Sequence, residues 1–142
     1  MSLERFRRPV VTATERETIT TVAQRMRDQR SGCVVITREN RPIGLLTDRD
    51  ICLRVVAEGK NADLVTVSDV ATYDPFVLRE SDGIETASTQ MRVHGVRRFP
   101  IVDGRGHLTG IVTADDLVML LGREISGLGE GLEASVDATE SR

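Results

Sequence analysis

Thr47 and Asp50 lie between an apolar run and a segment of helical periodicity, in the string GLLTDRDI (44–51). The arrangement returns 66 positions later, with Thr113 and Asp116 in GIVTADDL (110–117). A Thr-x-x-Asp pair at a strand-to-helix junction has an immediate use as a helix cap. The threonine hydroxyl accepts from the backbone N–H three residues on, and the carboxylate takes a bond from the threonine's own N–H, worth about 1 kcal/mol per cap. The other use is a ligand site made twice.

The remaining chemistry-bearing residues are few. Cys33 and Cys52 stand far from His94 and His107, with no CxxC or HxxxH spacing, so no metal site is expected. Cys33 and His94 are the one nucleophile–base couple, and no motif brings them together, so catalysis ranks last among the functions. Two lone cysteines in apolar surroundings read as buried, reduced thiols of a cytoplasmic protein. His94 reads as a helix-end residue, His107 as an exposed turn residue, and Asp48 and Asp115 as first-turn acids. GLGEG (127–131) follows no strand and reads as tail rather than a phosphate loop.

The elements that must position these residues come in two copies. PVVTATERETITTVAQRM (9–26) aligns with PFVLRESDGIETASTQM (75–91), matching Glu15 to Glu80, Ile19 to Ile84 and Met26 to Met91. Each copy reads as strand, helix, strand, strand, helix. The extended pieces are Val10 to Ala13 and Phe76 to Leu78, and the strand pairs are CVVIT with IGLLT and FPIVD with LTGIVT. The closing helices carry Ile51, Cys52, Val55 and Val56 in one copy, and Leu117, Val118, Leu120 and Leu121 in the other. The fold class is therefore α/β (α+β), two β-α-β-β-α repeats packed with pseudo-twofold symmetry. The expected boundaries are a basic, solvated arm at 1–8, repeat 1 at 9–60, a linker at 61–74 and repeat 2 at 75–121. The tail at 122–142 is expected to be partly helical, then disordered.

Bulk properties bound the function. Hydrophobic residues at 39% and charged ones at 29% suit a globular chain. A formal charge of −3 and 3% aromatics, without Trp, argue against nucleic acid. No apolar run is long enough to span a bilayer and the N-terminal residues lack a signal peptide's apolar core, so no membrane is expected.

The order of elements, with G-φ-φ-T-x-x-D-φ at the last strand-to-helix junction of both copies, resembles the cystathionine-β-synthase (CBS) domain pair, or Bateman module. GVRRFPIVD (95–103) resembles the family's second signature, a stretch ending in P-φ-φ. SGCVVIT (31–37) departs from it, with Val35 where the family usually has proline. TDRDI and VRRFPIV together resemble short stand-alone bacterial pairs.

The resemblance implies a regulatory module with two composite clefts for an adenosine compound: AMP, ADP, ATP, NAD(H) or S-adenosylmethionine. The aspartate would take the ribose hydroxyls, while the threonine and helix amides face the 5′ side. Carried over residue by residue, one cleft combines Thr47, Arg49 and Asp50 with Val77, Val96, Arg97, Arg98, Phe99 and Pro100. The other combines Ile111, Thr113 and Asp116 with Val11, Ser31, Gly32, Cys33 and Val34. Guanidinium groups suit phosphates, so Arg97 and Arg98 make the Thr47–Asp50 cleft the preferred one. Alternation along a strand turns one of the two away from it. The apolar closing helices imply a homodimer, with an unidentified protein partner downstream. A dimeric scaffold that binds no nucleotide is the alternative.

Overall fold

Each copy of the repeat folds as a small sheet with its helices packed on it. The structure is a computed structural model that describes residues 1–140. Repeat 1 comprises β1 (Thr12–Ala13), α1 (Ile19–Gln29), β2 (Cys33–Arg38), β3 (Arg41–Thr47) and α2 (Asp48–Ile51), which widens into a π-helical turn at Cys52–Val56. A short strand β4 (Thr72–Tyr73) follows. Repeat 2 comprises β5 (Leu78–Arg79), α3 (Ile84–His94), β6 (Arg98–Val102), β7 (Leu108–Thr113) and α4 (Ala114–Glu140). The sheet orders are β1-β2-β3-β4 and β5-β6-β7. In each, the first strand runs parallel to the central one, and the hairpin partner runs antiparallel.

The central strands read as continuous apolar runs because both of their faces are covered. Val34, Val35 and Ile36 are fully buried, and so are Phe99 and Ile101. Val22 and Met26 of α1 pack on the first sheet, as Ile84 and Ala87 of α3 do on the second. Both α1 and α3 end in a left-handed residue, Arg30 (φ 51°) and Gly95 (φ 63°). The amide that follows each, Ser31 or Val96, bonds back to Met26 or Met91, and this turn delivers the chain to the central strand.

Arg5, Arg7 and Arg8 of the basic arm are exposed, while apolar residues of the arm and of the linker cross into the core of the opposite repeat unit. Leu3 is fully buried in the core of repeat 2, and Phe6 packs beside it. Val67 and Val70 are buried in the core of repeat 1. The exchange is reciprocal: Ser2 and Arg7 bridge Gly83 and Gly110, while Thr66 and Tyr73 bridge Thr18 and Gly44. Burying apolar side chains that a short arm would otherwise expose drives both crossings. It also accounts for two matches between the repeats. Arg7 makes a bidentate pair with Glu80 (2.8 and 2.9 Å), and Tyr73 donates to Glu15 (3.1 Å). The hydrogen bond from Arg7 holds Glu80 below the usual carboxylate range, and Arg38 with Tyr73 does so for Glu15.

The same crossings account for the glycine that opens each GφφTxxDφ string. A Cβ on Gly44 would stand 2.9 Å from the Thr72 carbonyl oxygen, and one on Gly110 would run into the Phe6 carbonyl. Neither position has room for a side chain.

The tail is more ordered than expected: α4 continues as one helix through Glu140. The expected disordered end falls partly on residues 141 and 142, which lie outside the described residues. No helix among the described residues is long and apolar enough to cross a membrane.

Candidate functional site

Both Thr-x-x-Asp pairs are complete capping boxes with the same geometry. Thr47 N–H donates to Asp50 Oδ2 at 2.9 Å, and Asp50 N–H donates to Thr47 Oγ1 at 3.1 Å. The Thr113–Asp116 pair repeats these two distances. All four side chains are half-buried, at the start of a helix whose dipole favours a carboxylate. Capping is thus a structural role of both pairs, and what differs between them is the surroundings.

Thr113 lines a cleft of about 290 Å³ between the repeats. Of the residues expected there, Val11, Ser31, Gly32, Cys33 and Ile111 are brought together with it. Two are not: Val34 is fully buried in the core of repeat 1, and Asp116 stands behind Arg8 rather than in the lining. Three arginines complete the lining, Arg8, Arg30 and Arg98. Arg8 donates to Asp116 Oδ2 and to the Ile111 carbonyl, both at 2.9 Å. The cleft therefore holds an apolar wall (Val10, Val11, Ile111) and guanidinium groups suited to phosphate, with the Asp116 carboxylate behind Arg8 and hydrogen-bonded to it.

The cation count that favoured the Thr47–Asp50 cleft is reversed here. Arg98 starts β6 directly opposite Thr113 and lines that residue's cleft. Arg97 is exposed, 3.2 Å from Asp115. The backbone fixes the equivalences: Arg8 N–H bonds the Thr109 carbonyl as Asp74 N–H bonds that of Ile43, and Arg30 occupies the left-handed turn that Gly95 occupies in repeat 2. The Thr47 side thus has an acid and a glycine where the Thr113 side has two arginines.

The other residues expected around Thr47 scatter. Phe99 belongs to the core of repeat 2, Val96 packs against that core, and Pro100 is buried opposite Ile111. Val77 lines a different cavity, with Arg38, Arg41 and Tyr73. Arg49 is exposed, and Asp50 Oδ1 lies 3.7 Å from Arg54. Sequence reasoning missed Arg8 and Arg30 as site residues. The available signal was that each breaks the match between the repeats with a change of charge.

The cysteines divide. Cys52 is exposed, contrary to expectation, because the π turn carries it out of the core-facing stripe. Cys33 is buried, and burial pushes its thiol up to about 11, against a partial opposing pull from Arg98. His94 bonds Gln90 at 2.9 Å and stacks on Phe76 with ring centroids 3.8 Å apart. Cys33 and His94 thus have separate neighbours. His107 is half-buried rather than exposed, because its N–H is tied to Asp103 in the turn. No cluster of metal-ligating side chains occurs among the described residues.

Comparison with known proteins agrees with this architecture. The family model for the CBS domain matches residues 3–57 and 67–123. Both segments include the crossing lead-in, so each lead-in belongs to its repeat unit. The chain belongs to the CBS domain family. It is 39% identical over 115 residues to the uncharacterized protein MK0525 of Methanopyrus kandleri, a match covering 80% of this chain and 59% of that protein's length. It is 34% identical over 110 residues to the CBS domain-containing protein YhcV of Bacillus subtilis, covering 78% of this chain and 77% of that one. Among solved structures, the CBS domain protein PAE2072 of Pyrobaculum aerophilum, complexed with AMP, superposes with a TM-score of 0.73. That match has 29% identity and covers 82% of this chain and 89% of the other.

Proposed function

We propose that this chain is a regulatory module that binds an adenosine nucleotide in the Thr113–Asp116 cleft. The observation that carries the reading is the convergence of Arg8, Arg30 and Arg98 on a cleft with an apolar wall, with Arg8 hydrogen-bonded to the helix-start carboxylate of Asp116 beside it. In this reading Asp116 accepts the ribose hydroxyls, Val11 and Ile111 flank the adenine, and the arginines take the phosphates. The cleft volume sits at the lower edge of the roughly 300–1,000 Å³ typical of ligand pockets. That size favours AMP, ADP or ATP over a dinucleotide such as NAD(H). S-Adenosylmethionine has no phosphate for the arginines. The AMP complex of PAE2072 supports the ligand class.

A bound nucleotide would signal by favouring one conformer, or one partner-binding state, over another. The exposed apolar residues of the closing helices, Leu53 and Val56 in repeat 1 with Val118 and Met119 in repeat 2, support a homodimer through these helices. An exposed, unpaired Cys52 suits a reducing compartment, the cytoplasm. A second reading, a scaffold that binds no nucleotide, draws on the fact that Arg8 and the cap already satisfy Asp116.

Isothermal calorimetry and thermal shift with AMP, ADP, ATP, NAD(H), S-adenosylmethionine and adenosine separate the two readings. A nucleotide at 100 times its Kd stabilises the native state by about 2.7 kcal/mol. The absence of any shift at millimolar nucleotide leaves the scaffold reading.

A further inference from the structure

The hairpin ends of the two sheets meet at the pole away from Thr113. There Leu108 N–H donates to the Asn40 carbonyl at 2.8 Å and ties the β6–β7 turn to the β2–β3 turn. Beside this bond lies the cavity of about 590 Å³ that Val77 lines with Arg38, Arg41 and Tyr73. Both repeats build it, and none of its lining residues lines the Thr113 cleft. Its walls are apolar: Pro42, Ile43, Pro75, Val77 and Val102. Tyr73 adds an aromatic wall, held in place by the bond from its hydroxyl to Glu15 (3.1 Å). Arg38 bonds the same carboxylate, so its charge is already matched.

Two other charges in the lining are unmatched. The side chains of Arg41 and Asp74 are exposed, and among the described residues neither makes a hydrogen bond or an ion pair. Both line the same cavity, yet they form no ion pair with each other. Asp74 sits in a left-handed turn (φ 52°) whose N–H is tied to the Ile43 carbonyl at 3.2 Å. Arg41 lies against Gly106 (φ 81°), where a Cβ would run into its guanidinium. A cation and an anion held apart over an apolar floor fit a molecule with the same three parts. A simple anion would meet Asp74 and a simple cation would meet Arg41, each beside a like charge. A zwitterion satisfies both groups.

We propose that this cavity binds a free α-amino acid with an aromatic or branched apolar side chain. Arg41 takes the carboxylate in a bidentate contact, and Asp74 accepts from the ammonium. The ligand's side chain lies against Pro42, Pro75 and Val102. A residue inside a peptide carries neither backbone charge, so the ligand is the free amino acid and not a protein segment.

The test uses the full chain, with free phenylalanine and free leucine as probes. Two analogues each lack one charge: phenylpropionate has no ammonium, and phenethylamine has no carboxylate. At millimolar concentration the amino acids should shift the backbone amide resonances of Val77, Val102 and Gly106, and leave those of Ser31 and Thr113 in place. Each analogue should bind about tenfold more weakly than phenylalanine, and phenylalanine should lose as much in Arg41→Gln and in Asp74→Asn. Both substituted side chains are exposed and unpaired, so the urea midpoints of the variants should match the parent's and separate lost binding from lost folding. No shift with either amino acid overturns the site. Phenylpropionate binding as tightly as phenylalanine overturns the zwitterion, and variants that bind like the parent overturn the roles of Arg41 and Asp74.

Discussion

Arg8 donates a hydrogen bond, at 2.9 Å, to the same Asp116 carboxylate oxygen that accepts the N–H of Thr113. Arg8 belongs to the lead-in that crosses to repeat 2, so the crossing segment and the cap meet at the cleft. One guanidinium thus stands where a ribose would bind and within the ring of arginines that would receive a phosphate. In Arg8→Ala a phosphate contact is lost while the carboxylate is freed. The expected result in calorimetry is a fall of about tenfold in AMP affinity, close to 1.4 kcal/mol, with adenosine binding unchanged or tighter. Equal losses for both ligands would show that Arg8 does not discriminate phosphate.

Arg30 holds a left-handed backbone conformation (φ 51°) at a position where repeat 2 uses Gly95. A side chain there is unfavourable, and glycine relieves it. We expect Arg30→Gly to stabilise the fold by up to about 1 kcal/mol in urea titration, while weakening nucleotide binding. Lower stability would mean that the Arg30 side chain contributes more to packing than its exposure suggests.

Gly44 and Gly110 meet the lead-in of the opposite repeat through its backbone carbonyls, which cannot swing aside as a side chain could. Gly44→Ala and Gly110→Ala should each destabilise the protein by about 1–3 kcal/mol, as overpacking does. Gly110 should cost more, because its contact with Phe6 is closer. A chemical-denaturation midpoint for Gly110→Ala equal to that of the parent would contradict this account of the motif's glycine.

The cysteines predict a pH dependence. The Cys33 thiol is raised from 9.0 to about 11 by burial, so the folded state holds this proton where the unfolded state releases it. Its contribution to stability is complete below about pH 9 and is lost as pH rises through 11. At pH 8, iodoacetamide should label Cys52 in the native protein and leave Cys33 untouched, as read by peptide mass. Equal labelling of both would place Cys33 outside the core.

The duplicated architecture was legible in the sequence because strand and helix periodicities, and the two GφφTxxDφ strings, repeat in register. The caps were legible because Thr-x-x-Asp is a local pattern. What escaped was non-local. Leu3 and Val67 cross to the opposite core, and nothing in the spacing of MSLERFRRP or of 61–74 says which repeat will bury them. The same crossing carries Arg8 to Asp116, and the register of β6 sets Arg98 opposite Thr113. The resemblance implies cleft positions for Val34 and Phe99, but alternation along β2 and β6 turns them into the cores. The tail's helical start was legible, but its extent through Glu140 was not, because its glycines argue against a helix.

The central claim, a nucleotide site built on Asp116, is tested most directly by calorimetry of AMP against the parent, Asp116→Asn and Asp50→Asn. The asparagine amide oxygen can still accept from the threonine N–H, so the cap survives while the carboxylate's grip on a diol is weakened. The account predicts at least a tenfold loss of affinity in Asp116→Asn and little change in Asp50→Asn. Loss confined to Asp50→Asn would move the site to the other cleft, and unchanged binding in both would contradict a carboxylate-held ribose altogether.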